Sequence, residues 1–151
     1  MRTVLFVCTG NTCRSPMAEA IARHSIDSGL LEEGIDLFVT SAGVDASAGS
    51  PPTNETLTVL SKLGIDHVGV STPLSADLVK NADLILCMTS SHQIAAQEML
   101  PHDSEDQNKI QLLDPEGDIE DPLGTGQTTY DDLAQRFMQL IPQRLREVFV
   151  T

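Results

Sequence analysis

The sequence predicts a single α/β domain built on a doubly wound, four-stranded parallel sheet with helices on both faces. Three observations carry that prediction. Short apolar runs rich in β-branched residues recur, the first being Thr3-Val4-Leu5-Phe6-Val7. They are too short for buried helices and read as strands covered on both faces. Between them lie longer stretches with apolar residues at helical spacing, and strands alternating with helices make a parallel sheet with right-handed crossovers. Finally, 151 residues without internal repeat, linker or low-complexity tract suit one domain, so residues 1–151 read as a single unit.

The elements follow in order. After the first strand comes a loop, and then Ser15 suits an N-cap and Pro16 the first helical position. The helix they open carries Met17, Ala18, Ala20, Ile21, Ala22 and Ile26. Gly29 and Gly34 punctuate a short connection, and residues 35–40 read as the second strand. Ser41-Ala42-Gly43 follows it, small enough to approach the first loop closely. Residues 45–52 are turn-rich, and Thr53 or Asn54 caps a helix with Leu57, Leu60 and Leu63 that Gly64 stops. His67 reads as a loop histidine, not a catalytic base. Residues 75–81 make a short helix, residues 82–88 the third strand, and residues 89–100 a helix ended by Pro101. Residues 102–108 are a charged, solvated loop, and residues 109–113 the fourth strand. A long loop dense in Asp, Pro and Gly leads to Thr128 or Thr129, which starts the last helix. Its stripe is Leu133, Phe137, Leu140, Ile141, Leu145, Val148 and Phe149, with a kink expected at Pro142.

A net charge of −13 argues against nucleic-acid or anionic-membrane binding, because the basic footprint such partners need is missing. Three cysteines without a secretory leader suggest a reducing, cytoplasmic setting. The apolar start is far too short to span a membrane.

The stretch Cys8-Thr9-Gly10-Asn11-Thr12-Cys13-Arg14-Ser15-Pro16 joins a strand's carboxyl end to a helix's amino end. Ligands bind there in open α/β sheets, and free N–H groups with the helix dipole attract anions. Inward-pointing N–H dipoles favour a thiolate at Cys8. Arg14 can fork onto two phosphoryl oxygens, and Gly10 lets the backbone fold closely around a tetrahedral anion. Local attraction of this kind overrides a repulsive but screened global field.

These residues, from Val7 to Glu19, resemble the signature of the low-molecular-weight protein tyrosine phosphatases. The likeness extends through Thr40-Ser41-Ala42-Gly43 and Ile119-Glu120-Asp121-Pro122, over nearly the whole chain. It implies that fold and a metal-free, cofactor-free mechanism. Cys8 attacks phosphorus, while Arg14 and the N–H groups of Thr9, Gly10, Asn11, Thr12, Cys13 and Arg14 hold the equatorial oxygens. Ser15 bonds the Cys8 sulfur, and Ser41 donates to Asn11 or is an ordinary turn serine. A reversible Cys8–Cys13 disulfide is the family's redox guard; an inert Cys13 suits the residues equally well.

The leaving group needs a proton donor, usually a carboxyl on a mobile loop. Asp114 looks like a turn-capping aspartate, whereas Asp121 matches the family's acid segment. Substrate is where the chain departs from tyrosine-directed members. Thr12 stands where those carry Ile, as in the family's arginine phosphatases, and Leu123-Gly124 replaces a pair of tyrosines. Without aromatics at the mouth a phosphotyrosine ring lacks stacking partners, whereas a phosphoguanidinium finds Asp121 and Asp45 for its N–H groups. Phosphoarginine in a protein or peptide is therefore the favoured substrate, with inorganic phosphate as product and a monomer expected. Phosphotyrosine is the alternative. An arsenate reductase would need cysteines beyond the lone Cys87, a non-catalytic phosphate-binding module would lack nucleophile or acid, and no Gly-Lys-Ser/Thr supports a nucleotide site.

Overall fold

The structure, a computed structural model, describes residues 1–29, 31 and 35–150; the turn expected at Gly34 lies outside them. Four parallel strands form the sheet: β1 (Arg2–Cys8), β2 (Leu37–Gly43), β3 (Leu84–Cys87) and β4 (Ile110–Leu112). Their order across the sheet is β2-β1-β3-β4. The chain adds β2 on one side of β1 and then crosses over to add β3 and β4 on the other. The loops leaving β1 and β3 therefore diverge, which opens a crevice at the carboxyl end of β1.

The helices are α1 (Arg14–Asp27), α2 (Asn54–Lys62), α3 (Ala76–Asn81), α4 (Ser90–Gln97) and α5 (Gln127–Phe149). Strand alternation sorts them onto two faces. Val4, Phe6 and Cys8 of β1 pack with Met17, Ile21, Leu60, Phe137 and Ile141, so α1, α2 and α5 cover one side. Leu5 and Val7 pack with Val79 and Ala96, so α3 and α4 cover the other. β1 is buried from Val4 to Cys8, as its unbroken apolar run requires. α5 continues through Pro142 to Phe149. Its Arg144 is buried and donates from Nε to the Leu113 carbonyl at 3.0 Å and from Nη2 to the Leu112 carbonyl at 3.2 Å. That side chain fastens the end of β4, from which the long loop departs.

The elements stand where expected, but several ends differ. β2 runs to Gly43, because Phe6, Val7 and Cys8 pair in register with Ser41, Ala42 and Gly43; the small residues are strand, not the turn after it. α1 begins at Arg14, with Cys13 rather than Ser15 as N-cap and Pro16 in the first turn, where a missing N–H leaves no bond unmade. Ser15 does not cap because its hydroxyl faces the sulfur of Cys8. Residues 102–108 are not all loop, since a 3-10 turn, Glu105–Lys109, forms behind a Ser104 cap. Gly126, not Thr128 or Thr129, precedes α5. Among the described residues, no helix is long and apolar enough to cross a membrane.

Candidate active site

The loop from Cys8 to Ser15 is held open from outside. Val44 N–H donates to the Cys8 carbonyl at 2.9 Å, Asp45 N–H to that of Thr9 at 3.0 Å, and Thr53 N–H to that of Thr12 at 2.9 Å. With its carbonyls drawn outward, the loop has N–H groups left for its hollow. Among the described residues, no protein acceptor takes an N–H of Gly10, Asn11, Thr12 or Cys13. A cradle of such donors suits a tetrahedral anion.

Asn11 sets the loop's shape. It has a φ of 56°, a left-handed backbone that asparagine tolerates better than most residues. Thr72 N–H donates to Asn11 Oδ1 at 2.8 Å, which fixes the amide's orientation. Asn11 Nδ2 then donates to Ser15 Oγ at 2.8 Å and to Ser41 Oγ at 2.9 Å. The bond expected between Ser41 and Asn11 thus exists with the roles reversed, because Ser41 gives its own proton to Glu19 Oε1 at 3.0 Å. Ser15 Oγ accepts from Asn11 and lies 2.8 Å from Cys8 Sγ, within reach to give the sulfur its proton. A chain of hydrogen bonds thus runs from Thr72 through Asn11 and Ser15 to the sulfur.

Close approach, expected of Gly10 within the loop and of Ser41-Ala42-Gly43 beside it, rests on Gly43. A Cβ on Gly10 would meet nothing nearer than Thr12 Oγ1 at 3.6 Å, an ordinary contact. A Cβ on Gly43 would lie 2.3 Å from the Thr9 carbonyl oxygen and 2.9 Å from Asn11 N. Gly43 is therefore what allows β2 to run against the loop.

Arg14 is buried, at 4% exposure, yet its charge is supported throughout. Nη1 donates to the Ile119 carbonyl at 2.8 Å and Nη2 to Thr9 Oγ1 at 3.3 Å, and Asp121 Oδ2 lies 3.7 Å from Nη2. These contacts fix the guanidinium beside the hollow and leave three of its five N–H protons without a hydrogen-bond acceptor among the described residues. Asp121 is half exposed, and its Oδ1 accepts the Leu123 N–H at 3.0 Å, which leaves Oδ2 facing inward. Cys8, Thr9, Gly10, Thr12, Cys13, Arg14, Asp121 and Leu123 line one cavity of about 150 Å³.

Asp45 is not brought into that cavity. Its side chain is exposed, and only its backbone touches the loop. Asp114 accepts from Glu116 N–H at 2.9 Å and pairs with Arg136, as a turn-capping aspartate should. The turn bond and the Arg136 contact hold its carboxyl below the usual carboxylate range. Cys13 Sγ lies 3.2 Å from the hydroxyl of Tyr130, whose burial pushes it up to about 12. His67 is a loop residue with a buried ring, 3.7 Å from Glu19 behind the loop.

One residue of this neighbourhood carries no sequence signal of its own. His92, in α4, is buried with Nε2 2.8 Å from Thr9 Oγ1, and burial together with the Arg14 charge lowers it to about 4. Only the crossover from β3 brings it to Thr9. A histidine three residues after a helix-capping threonine reads from sequence as a capping residue alone.

The sequence profile of the family described as low molecular weight phosphotyrosine protein phosphatase matches residues 3–149. A protein-arginine-phosphatase of Bacillus subtilis is 38% identical over 93% of this chain and 95% of its own length. The low molecular weight protein-tyrosine-phosphatase PtpB of Staphylococcus haemolyticus is 34% identical over 91% of this chain and 94% of its own. Among solved structures, the YwlE arginine phosphatase from Geobacillus stearothermophilus superposes with a TM-score of 0.84 at 33% identity, covering 98% of this chain and 95% of that one.

Proposed function

The chain belongs to the low molecular weight phosphotyrosine protein phosphatase family, and from that premise we propose that it hydrolyses phosphorylated protein side chains through a phosphorylated Cys8, phosphoarginine being the preferred substrate. Cys8 Sγ attacks phosphorus as the bond to the leaving nitrogen breaks, and Asp121 Oδ2 gives that nitrogen its proton. Asp121 then takes a proton from the water that attacks the cysteinyl phosphate, which returns the thiolate and releases inorganic phosphate. Arg14 and the N–H groups of residues 9–14 hold the equatorial oxygens through both steps. Ser15 supports the sulfur, and Asn11 and Ser41 keep the loop in shape.

The observation behind the substrate choice is the cavity's lining, which has no aromatic side chain. Thr12 sets a hydroxyl in its wall and Leu123 an aliphatic group at its rim, so a phenol ring has nothing to stack on. A guanidinium leaving group instead meets the Asp121 carboxyl. We further propose a cytoplasmic monomer that acts on proteins and not on nucleic acids.

Turnover of phosphoarginine and phosphotyrosine peptides of one sequence, with chelator present, tests the reading. The expected result is a higher kcat/KM for phosphoarginine, and a shift toward phosphotyrosine in Thr12→Ile. A wild-type preference for phosphotyrosine that Thr12→Ile leaves unchanged would remove the phosphoarginine assignment and leave the phosphatase.

A further inference from the structure

We infer that His92 is a positioning residue that turns the Thr9 hydroxyl into a fixed donor for a phosphoryl oxygen, an inference that rests on the phosphatase reading above. The bonding around the imidazole leaves one arrangement. Thr89 N–H donates to His92 Nδ1 at 3.2 Å, so Nδ1 carries no proton. A neutral ring then carries its proton on Nε2 and donates it to Thr9 Oγ1 at 2.8 Å. Neutrality at physiological pH follows from the ring's burial and from Arg14, against which Asp118 and Asp121 pull weakly the other way.

Thr9 Oγ1 also accepts from Arg14 Nη2 at 3.3 Å. A hydroxyl oxygen has two lone pairs and one proton. Both lone pairs face donors, so the proton must be given away, and Thr9 lines the cavity with Cys8, Arg14 and Asp121. A phosphoryl oxygen bound there accepts it; a guanidinium leaving group, itself a donor, does not. The contact therefore serves the transferred group and is blind to what the phosphoryl is attached to. Without His92, the Thr9 hydroxyl could rotate and accept more readily than it donates.

The same histidine closes the capping box of α4, which offers a purely structural account to test against. The two roles use opposite nitrogens and can be separated. In His92→Asn the amide oxygen stands near the place of Nδ1, keeping the bond from Thr89 N–H but falling short of Thr9. In His92→Gln the longer amide reaches Thr9 with an N–H. The readouts are kcat/KM on an aryl phosphate and on both phosphopeptides, binding of inorganic phosphate by calorimetry, and the urea midpoint.

Thr9→Val should lower kcat/KM by roughly tenfold to a hundredfold, the range for a hydrogen bond to a charged group, and equally for every substrate. Its affinity for inorganic phosphate should fall with it. His92→Asn should lose about tenfold with an unchanged urea midpoint, and His92→Gln should recover most of that. The Thr9→Val/His92→Asn double variant should be no worse than Thr9→Val alone. Full activity in folded His92→Asn, additive losses in the double variant, or Thr9→Val within twofold of wild type would each overturn the inference. Phosphate binding reads the Thr9 contact even if no phosphopeptide is turned over, so failure of the phosphatase reading is seen separately.

Discussion

Cys8 and Asp121 face the same cavity, and the roles proposed for them make separable demands on the reaction. Cys8→Ser should abolish turnover and keep phosphate binding, because a hydroxyl is a far weaker nucleophile while the N–H cradle and Arg14 are untouched. Burst and steady-state assays, with calorimetry for phosphate, check it. Asp121→Asn should slow poor leaving groups by about 10²–10⁴-fold and activated aryl phosphates much less, as rates across a leaving-group series would show. Gly43→Ala tests the close approach. Its methyl would stand 2.3 Å from the Thr9 carbonyl, so the loop must move, at a cost of about 1–3 kcal/mol and most of the activity. Thermal unfolding and kcat/KM measured together read both. That Cys8, Arg14 and Asp121 would meet at one cavity was legible in the sequence, because each lies in a short contiguous motif. Gly43 was legible only as a small residue, and His92 not at all, because their partners stand 34 and 83 positions away along the chain in Thr9.

At the scale of elements, the ends of strands and helices were the least legible part, and the reason is visible at β2. Its register with β1 extends it to Gly43 across Ser41 and Ala42, which carry no β-branched signal. Ser15 shows the converse: a good capping residue is diverted because the sulfur of Cys8 competes for its hydroxyl. The amino end of α4 leads to a pH prediction. Folded His92 titrates near 4 against an ordinary value of 6.5, so between those values the unfolded chain binds a proton that the folded one does not. Stability should thus fall as pH drops from 6.5 toward 4, with His67, also lowered by burial, adding to the trend. The urea midpoint should decline from pH 7 to pH 5 in wild type and less steeply in His92→Gln. A parallel decline in both would show that His92 does not contribute.

For the whole molecule, recurring apolar runs alternating with helical stretches were enough to read the doubly wound sheet, whose two faces are both covered. The charge of −13 was equally plain, and it has a kinetic consequence. Phosphopeptides with basic flanks should be turned over roughly tenfold faster at low salt than those with acidic flanks, and the ratio should collapse near 0.15 M salt, where the screening length shrinks to about 8 Å. A ratio indifferent to salt would mean that the global field plays no part in encounter. The pairing of Cys8 with Gly43, and the bond from Thr72 N–H into Asn11, also set what could be transplanted. Carrying Cys8 to Ser15 onto a foreign strand and helix would move the letters of the site without its mould. The portable unit is discontinuous: the loop, the last residues of its neighbouring strand, and one amide from a segment some sixty residues on. A protein engineer grafting this catalyst would have to choose a host by the shape of the second strand, and only afterwards by the first.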